Sequence, residues 1–333
     1  MSLLSVATNL VVASKGILAA DESTNTIKKR FDKIGVESME ENRRAYRELL
    51  FTTPGIEKYI SGVILFDETI RQFTKDGVSF PKFLEQKGII PGIKVDKGVQ
   101  PFYNSDIEKI TDGLDGLGER IKEYYQLGAR FAKWRAVISV GVGLPTMECV
   151  VANAEVMAKY AKICQENNVV PIVEPEVLMD GAHDINRCYE VTEMVLKIFF
   201  EKLSQYGVAL DGMLLKPNMV IPGEEAQKSK PQEVAMATVK CLLNVVPATV
   251  PGVVFLSGGQ TEQEACENLN AINEINQNCP WQLSFSYGRA LQSSALKSWA
   301  GNNVSAGQDA FLYRAKLTGA ARDGKYNAAI LII

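Results

Sequence analysis

An α/β fold of the (β/α)8 barrel type, in a single domain over residues 1–333, is predicted by three observations. Eight short apolar runs alternate with longer amphipathic segments, the pattern of parallel strands joined by helices. The runs are continuously apolar rather than alternating, as expected of strands covered on both faces. No linker, low-complexity tract or internal repeat divides the chain.

In chain order the runs are residues 16–21 (GILAAD), 63–67 (VILFD), 91–96 (PGIKVD), 129–138 (ARFAKWRAVI), 169–178 (VVPIVEPEVL), 212–220 (GMLLKPNMV), 253–259 (VVFLSGG) and 283–288 (LSFSYG). Between them, residues 39–51, 107–126, 147–167, 185–206, 232–243 and 261–277 predict helices, many with apolar positions three and four apart and charges between. The sixth run carries Lys216 at its far end, and Pro217 then stops the ladder. An ammonium so deep in an apolar setting either pairs with a carboxylate or gives up its proton and becomes a nucleophile.

Composition narrows the function. The chain is 46% hydrophobic and 23% charged with a formal net charge of -3, an ordinary balance for a globular protein. No long basic run is present, which argues against nucleic acid or an anionic membrane as partner. No apolar stretch reaches the span of a bilayer, and the N-terminus lacks the basic segment of a secretion signal; the cytoplasm is the expected compartment. Six scattered cysteines, with no Cys-x-x-Cys pair, frame neither a zinc site nor a disulfide scaffold. The one histidine, His183, falls in a polar segment and predicts a loop or helix start. A serine triad and a multi-histidine zinc site therefore lack their imidazoles, and no metal or other cofactor is expected.

A parallel barrel builds its site from the C-terminal ends of its strands. Here the first run ends in Asp21, Glu22 and Ser23; the third holds Lys94 and Asp96; the fourth Lys133 and Arg135; the fifth Glu174 and Glu176; the sixth Lys216. The seventh ends Ser257-Gly258-Gly259 and the eighth Ser286-Tyr287-Gly288-Arg289. Residues two apart on a strand share a side, and charges within apolar strands are costly unless they serve each other or a ligand. Independent strand-end salt bridges account for one or two such pairs, not for charges converging from six of eight strands.

That set supports imine chemistry. A nucleophilic lysine works best with its pKa near ~7–8 rather than the usual ~10.4, and a neighbouring cation such as Lys133 supplies a shift of that size. Lys216 would attack a ketone, Glu174 would act as acid in the loss of water, and the resulting iminium would accept the electrons of an adjacent carbon–carbon bond. Asp21 would take the proton of the hydroxyl beyond that bond. Ser257-Gly258-Gly259 and Gly288-Arg289 can offer backbone N–H groups and a guanidinium to one phosphate, and Ser23 with Lys94 can hold a second. Two anionic ends around a ketone describe a ketose bisphosphate.

The stretches Asp21-Glu22-Ser23-Thr24, Gly92-Ile93-Lys94-Val95-Asp96-Lys97-Gly98, Phe131-Ala132-Lys133-Trp134-Arg135, Val173-Glu174-Pro175-Glu176, Leu214-Leu215-Lys216-Pro217-Asn218, Leu256-Ser257-Gly258-Gly259-Gln260 and Tyr287-Gly288-Arg289-Ala290-Leu291 together resemble the motifs of class I fructose-bisphosphate aldolase. The resemblance runs from about residue 14 to about residue 326 in the family's order. It implies a TIM-barrel enzyme, typically a homotetramer, that reversibly cleaves fructose 1,6-bisphosphate to dihydroxyacetone phosphate and glyceraldehyde 3-phosphate in glycolysis and gluconeogenesis, without a metal. By the same resemblance Lys216 is the Schiff-base lysine, Glu174 the acid/base, Asp21 the group at the C4 hydroxyl and Lys133 its charged helper beside Arg135. Ser257, Gly258, Ser286, Gly288 and Arg289 match the C1-phosphate site, Ser23 and Lys94 the C6-phosphate side, and Glu176 a further site carboxylate.

Two departures stand out. Thr26 occupies the place of the family's second C6-phosphate serine and keeps its hydroxyl. Animal and plant members end in a flexible tail with a terminal tyrosine that moves protons at C3, whereas this sequence stops at Ala329-Ile330-Leu331-Ile332-Ile333 soon after Tyr326; slow proton exchange on the three-carbon intermediate is the expectation. Three other readings differ in what they predict. A metal-dependent aldolase would lose activity to a chelator, a Schiff-base lyase acting on a monophosphate would need only one phosphate grip, and a non-catalytic sugar-phosphate-binding scaffold would bind without turnover.

Overall fold

Eight parallel strands close on themselves in the order β1-β8-β7-β6-β5-β4-β3-β2 in a computed structural model that describes residues 1–103, 105–275 and 279–327. The strands are β1 (Gly16–Ala20), β2 (Ile60–Leu65), β3 (Ile90–Lys94), β4 (Phe131–Ile138), β5 (Val170–Val177), β6 (Leu214–Leu215), β7 (Gly252–Phe255) and β8 (Gln282–Tyr287). Each of the eight apolar runs contributes one strand, so the predicted (β/α)8 barrel is the observed fold.

Strand side chains alternate with period two, and two apolar layers follow. One row points inward: Ile17 and Ala19, Ile64, Phe131, Val170 and Ile172, Leu214 and Val254 fill the barrel, and the helix Leu3–Leu10 closes its N-terminal end with Val6, Ala7 and Leu10. The other row, including Leu18, Val63, Ile93, Trp134, Val173, Leu215 and Phe255, packs against the surrounding helices. Burying each such side chain stabilises the fold by roughly 1.5–3 kcal/mol. Glycine is required where the inner row is crowded, because a Cβ on Gly92 would lie 2.3 Å from the Phe131 ring.

The helices Glu40–Thr52, Met147–Glu166, Ile185–Gln205 and Pro231–Val245 lie where the periodicity places them. The last predicted helix is Glu262–Glu274, begun by a capping box between Thr261 and Glu264; residue 277, where the prediction ended, lies outside the described residues. His183 sits in the loop just before the Asp184 cap of Ile185–Gln205, as expected.

Residues 107–126 are not one helix. Val99–Pro101 and Lys109–Thr111 pair as an antiparallel ribbon, and only Leu117–Gln126 is helical. Gly113 at φ +129 and Gly116 at φ +66 break the segment, and Ile110 and Thr111, β-branched, suit the ribbon. The sixth run also yields less ladder than its apolarity implies: Gly212 ends a short 3-10 turn, and Pro217 has no N–H to continue the pairing.

Candidate active site

The inward rows, continued past the ends of the ladders, become the site. Above Ala19 stands Asp21; above Gly92, Lys94 and Asp96; above Phe131, Lys133 and Arg135; above Ile172, Glu174 and Glu176; above Leu214, Lys216; above Ser284, Ser286 and Gly288. These residues, with Ser23, Thr26, Ser257, Gly258 and Arg289, line a single cleft of about 850 Å³. Every residue nominated from the sequence therefore reaches the same mouth, because each shares parity with a barrel-filling side chain or lies in the loop or the first turn of the helix just beyond such a strand.

The charged side chains on the floor are buried: Lys133, Glu174 and Lys216 are each 4% exposed, and Asp96 and Glu176 each 8%. They survive burial by pairing. Lys216 Nζ lies 3.1 Å from Glu174 Oε1, and Lys133 Nζ lies 3.3 Å from the other Glu174 oxygen, 2.8 Å from Asp21 Oδ2 and 3.9 Å from Asp96. Burial alone would push the Asp21 carboxyl up, but Lys133 and Lys216 outweigh it and hold the group far below the usual carboxylate range. Burial would likewise lower Lys133, and Asp21, Glu174 and Asp96 together raise it well above an ordinary lysine. Lys133, expected as a cation near Lys216 and as the partner of Asp21, is here paired with carboxylates. Three carboxylates enclose it, and the group within reach of the Lys216 proton is Glu174.

The backbone fixes Lys216 from both sides. Its N–H donates to the Val173 carbonyl at 2.8 Å, and the Pro217 carbonyl accepts from Leu256 N–H at 3.0 Å, carrying the pairing past the end of β6. Asn218 accepts from Val177 N–H at 3.1 Å and donates to Thr192 at 3.2 Å, tying the loop after β6 to β5 and its helix. Arg135 Nε donates to Glu176, and this ion pair, between inward residues of neighbouring strands, forms the wall toward β7.

Two ends of the cleft are suited to anions. At one, Gly288 begins the helix Arg289–Trp299 without a side-chain cap, and that helix start, Arg289 and Ser286, whose buried hydroxyl is unpartnered, all line the cleft. Gly258 lies opposite, where a Cβ would come within 2.9 Å of Glu176 Oε1. At the other end Ser23 caps the helix Thr24–Asp32 and its hydroxyl lies 3.1 Å from that of Thr26. Lys94 faces the same cleft, its ammonium 2.7 Å from Asp96.

Arg30, on the helix Thr24–Asp32, also lines the cleft and is ion paired with Glu22. Sequence reasoning missed it, because a Lys-Lys-Arg run in the last turn of a helix reads as a solvated face. Only the folding of that helix over the mouth brings Arg30 next to Gly288, where a Cβ would lie 3.9 Å from its Nη2.

The chain is similar to known proteins over nearly its whole length. Residues 2–331 match the protein-family model described as Fructose-bisphosphate aldolase class-I. "Fructose-bisphosphate aldolase 6, cytosolic" of Arabidopsis thaliana is 56% identical over 314 residues, which is 94% of this chain and 88% of that protein. "Fructose-bisphosphate aldolase" of Drosophila melanogaster is 54% identical over 326 residues, 97% of this chain and 90% of the relative. Among solved structures, fructose-bisphosphate aldolase from Plasmodium falciparum, crystallised with TRAP and a small-molecule inhibitor, superimposes with a TM-score of 0.96 at 52% identity, covering 98% of this chain and 95% of its own.

Proposed function

The chain belongs to the class-I fructose-bisphosphate aldolase family and is a lyase with that activity; from this premise we propose that it works through an imine on Lys216. The observation that carries the proposal is the 3.1 Å contact between Lys216 Nζ and Glu174 Oε1 on the floor of a cleft with an anion-binding end on either side.

Lys216 passes a proton to Glu174 and its free amine attacks the C2 ketone of the open-chain sugar. Glu174 returns a proton to the carbinolamine oxygen, which leaves as water, and the iminium forms. Asp21, ionised, then removes the C4 hydroxyl proton; the C3–C4 bond electrons flow into the iminium, and the aldehyde product departs. The remaining enamine takes up a proton at C3, and hydrolysis frees dihydroxyacetone phosphate and Lys216. Lys133 keeps Asp21 ionised and in place, and Arg135 with Glu176 shapes the wall beside the C1 end. Ser257, Gly258, Ser286, Gly288 and Arg289 hold the C1 phosphate, while Ser23, Thr26 and Lys94 hold the C6 phosphate. Two such ends favour the bisphosphate over a monophosphate.

A homotetramer is the assembly proposed, as the family resemblance implies. Tyr103 at 83% and Ile107 at 57% exposed lie in the connection between the two strands of the ribbon, and such exposed apolar side chains suit a subunit neighbour. We also propose the cytoplasm as its site: relatives from Arabidopsis and spinach carry cytosolic or cytoplasmic names, and among the described residues no helix is long and apolar enough to cross a membrane. The residues at which the expected short C-terminus was placed, 329–333, lie outside the described ones.

Borohydride reduction in the presence of dihydroxyacetone phosphate, followed by peptide mass mapping, tests the mechanism. The expected result is a reduced adduct on Lys216 alone. Labelling elsewhere, or loss of the adduct with cleavage intact, would overturn it.

A further inference from the structure

Arg47 has no place in the mechanism above, yet it is 3% exposed and charged. It lies on the helix Glu40–Thr52, behind the end of β1, and its Nη2 is 2.6 Å from Glu22 Oε2. The other oxygen of Glu22 accepts from Arg30, and from Gln292 Nε2 at 3.0 Å, whose amide also donates to the Ala19 carbonyl at 2.7 Å. Tyr46, next to Arg47 in sequence, donates to Gln292 Oε1 at 3.2 Å. One buried carboxylate thus stands between two guanidinium groups, one facing the cleft and one walled off from it.

We propose that Arg47 is a positioning residue for phosphate binding: by neutralising Glu22 from behind, it leaves the charge of Arg30 available to an anion at the Gly288–Arg289 end. With Arg47 in place the trio of Arg30, Glu22 and Arg47 carries one net positive charge beside the cleft. Without it the trio is neutral, and Arg30 is spent on Glu22. The same bonds hold Glu22 against the turn that carries its neighbour Asp21, so the arrangement also fixes the start of the helix Thr24–Asp32. The inference rests on the reading of this cleft as a site for phosphate esters.

The test is the competitive inhibition constant of inorganic phosphate against fructose 1,6-bisphosphate, together with KM and kcat, in a charge cycle on the full-length enzyme. Arg47→Met should weaken phosphate binding and raise KM by about tenfold, the weight of one charge at ~10 Å through an effective dielectric near 20. Arg47→Lys should stay within about threefold of the parent, since the charge is kept. Glu22→Gln should tighten phosphate binding severalfold, and the double variant Glu22→Gln with Arg47→Met should return it to near the parent value. A residue that merely supports the fold would lower Tm in Arg47→Met without moving the phosphate constant, and the double variant would be no better than the single; either result overturns the proposal. If Arg47→Met does not fold, the Glu22→Gln arm decides, because binding that fails to tighten contradicts the charge argument. Inorganic phosphate itself forms no imine, so a constant that fails to move across the charge cycle is distinct from a failure to label Lys216.

Discussion

Lys133 Nζ stands 2.8 Å from Asp21 Oδ2 and so joins β4 to the end of β1 across the barrel mouth. The pair sets the protonation of the proposed base. Burial opposes the Asp21 charge, yet Lys133 and Lys216 depress its pKa far below the ordinary carboxylate value of about 4. The stability this gives is present above about pH 4 and is lost only as pH falls through the lower folded-state value. Lys133, held above its ordinary value of about 10.4 against burial by Asp21, Glu174 and Asp96, contributes fully below that value and loses its share as pH rises through the folded one.

Neither group then titrates between about pH 5 and pH 9, so any limb of the kcat/KM profile in that window belongs to another group. In Lys133→Met, Asp21 keeps its burial and loses its nearest cation. Its pKa rises, kcat falls by about 100-fold or more, and the acid limb moves upward into the measurable range. A variant profile that superimposes on the parent, apart from a vertical offset, would contradict this assignment.

Replacing the nucleophile itself separates binding from chemistry. Lys216→Met keeps the apolar stem, which fits its 4% exposure, and should reduce cleavage by more than about a thousandfold. The proposed phosphate-holding ends are untouched, so fructose 1,6-bisphosphate should still bind, as isothermal titration would show. Substantial residual turnover would exclude the imine route.

Addition of a chelator should leave turnover unchanged, since in the proposed route the imine on Lys216 takes up the electrons that a metal would otherwise accept. Loss of activity that added metal restores would contradict the imine mechanism, because the iminium already supplies the electron sink.

The sequence made the barrel and its mouth legible for a common reason. Continuous apolar runs mark strands covered on both faces, and parity carries inward residues such as Phe131 and Ile172 directly into Lys133 and Glu174. What it hid depended on tertiary placement. Lys133 read as a cation near Lys216, and nothing local shows that Asp96, just past β3, and Glu174, on β5, fold to enclose it together with Asp21. Arg30 and Arg47 sit at ordinary helical positions, and only the packing of their helices over β1 gives them Glu22 in common. The ribbon at 99–111 was concealed by an amphipathic spacing that the glycines at 113 and 116 interrupt.

Gly258 should be intolerant of even one methyl group. Its Cβ would lie 2.9 Å from Glu176 Oε1 and 3.2 Å from Leu256, and Glu176 is held by Arg135. In Gly258→Ala the carboxylate must yield, loosening that ion pair and narrowing the cleft at the end proposed for the C1 phosphate. We expect KM for the bisphosphate to rise by about tenfold with a smaller change in kcat. Unaltered steady-state constants would show that the carboxylate moves without consequence for substrate.

Gly92 tests the packing beneath the site rather than the site itself. The Phe131 ring fills the space where its Cβ would be, with three ring carbons between 2.3 and 2.5 Å away, and Phe131 is fully buried in the barrel. Gly92→Ala should therefore cost about 1–3 kcal/mol of stability, the usual range for overpacking a core, read as a lower thermal midpoint. Trimming the ring in Gly92→Ala with Phe131→Leu should recover part of that loss, because the two changes share one volume. Lys94 is the next inward residue on β3, so the single variant should also weaken binding at the Ser23–Lys94 end, and the paired change should restore it. A double variant whose losses simply add would show that the ring and the missing Cβ are not competing for the same space.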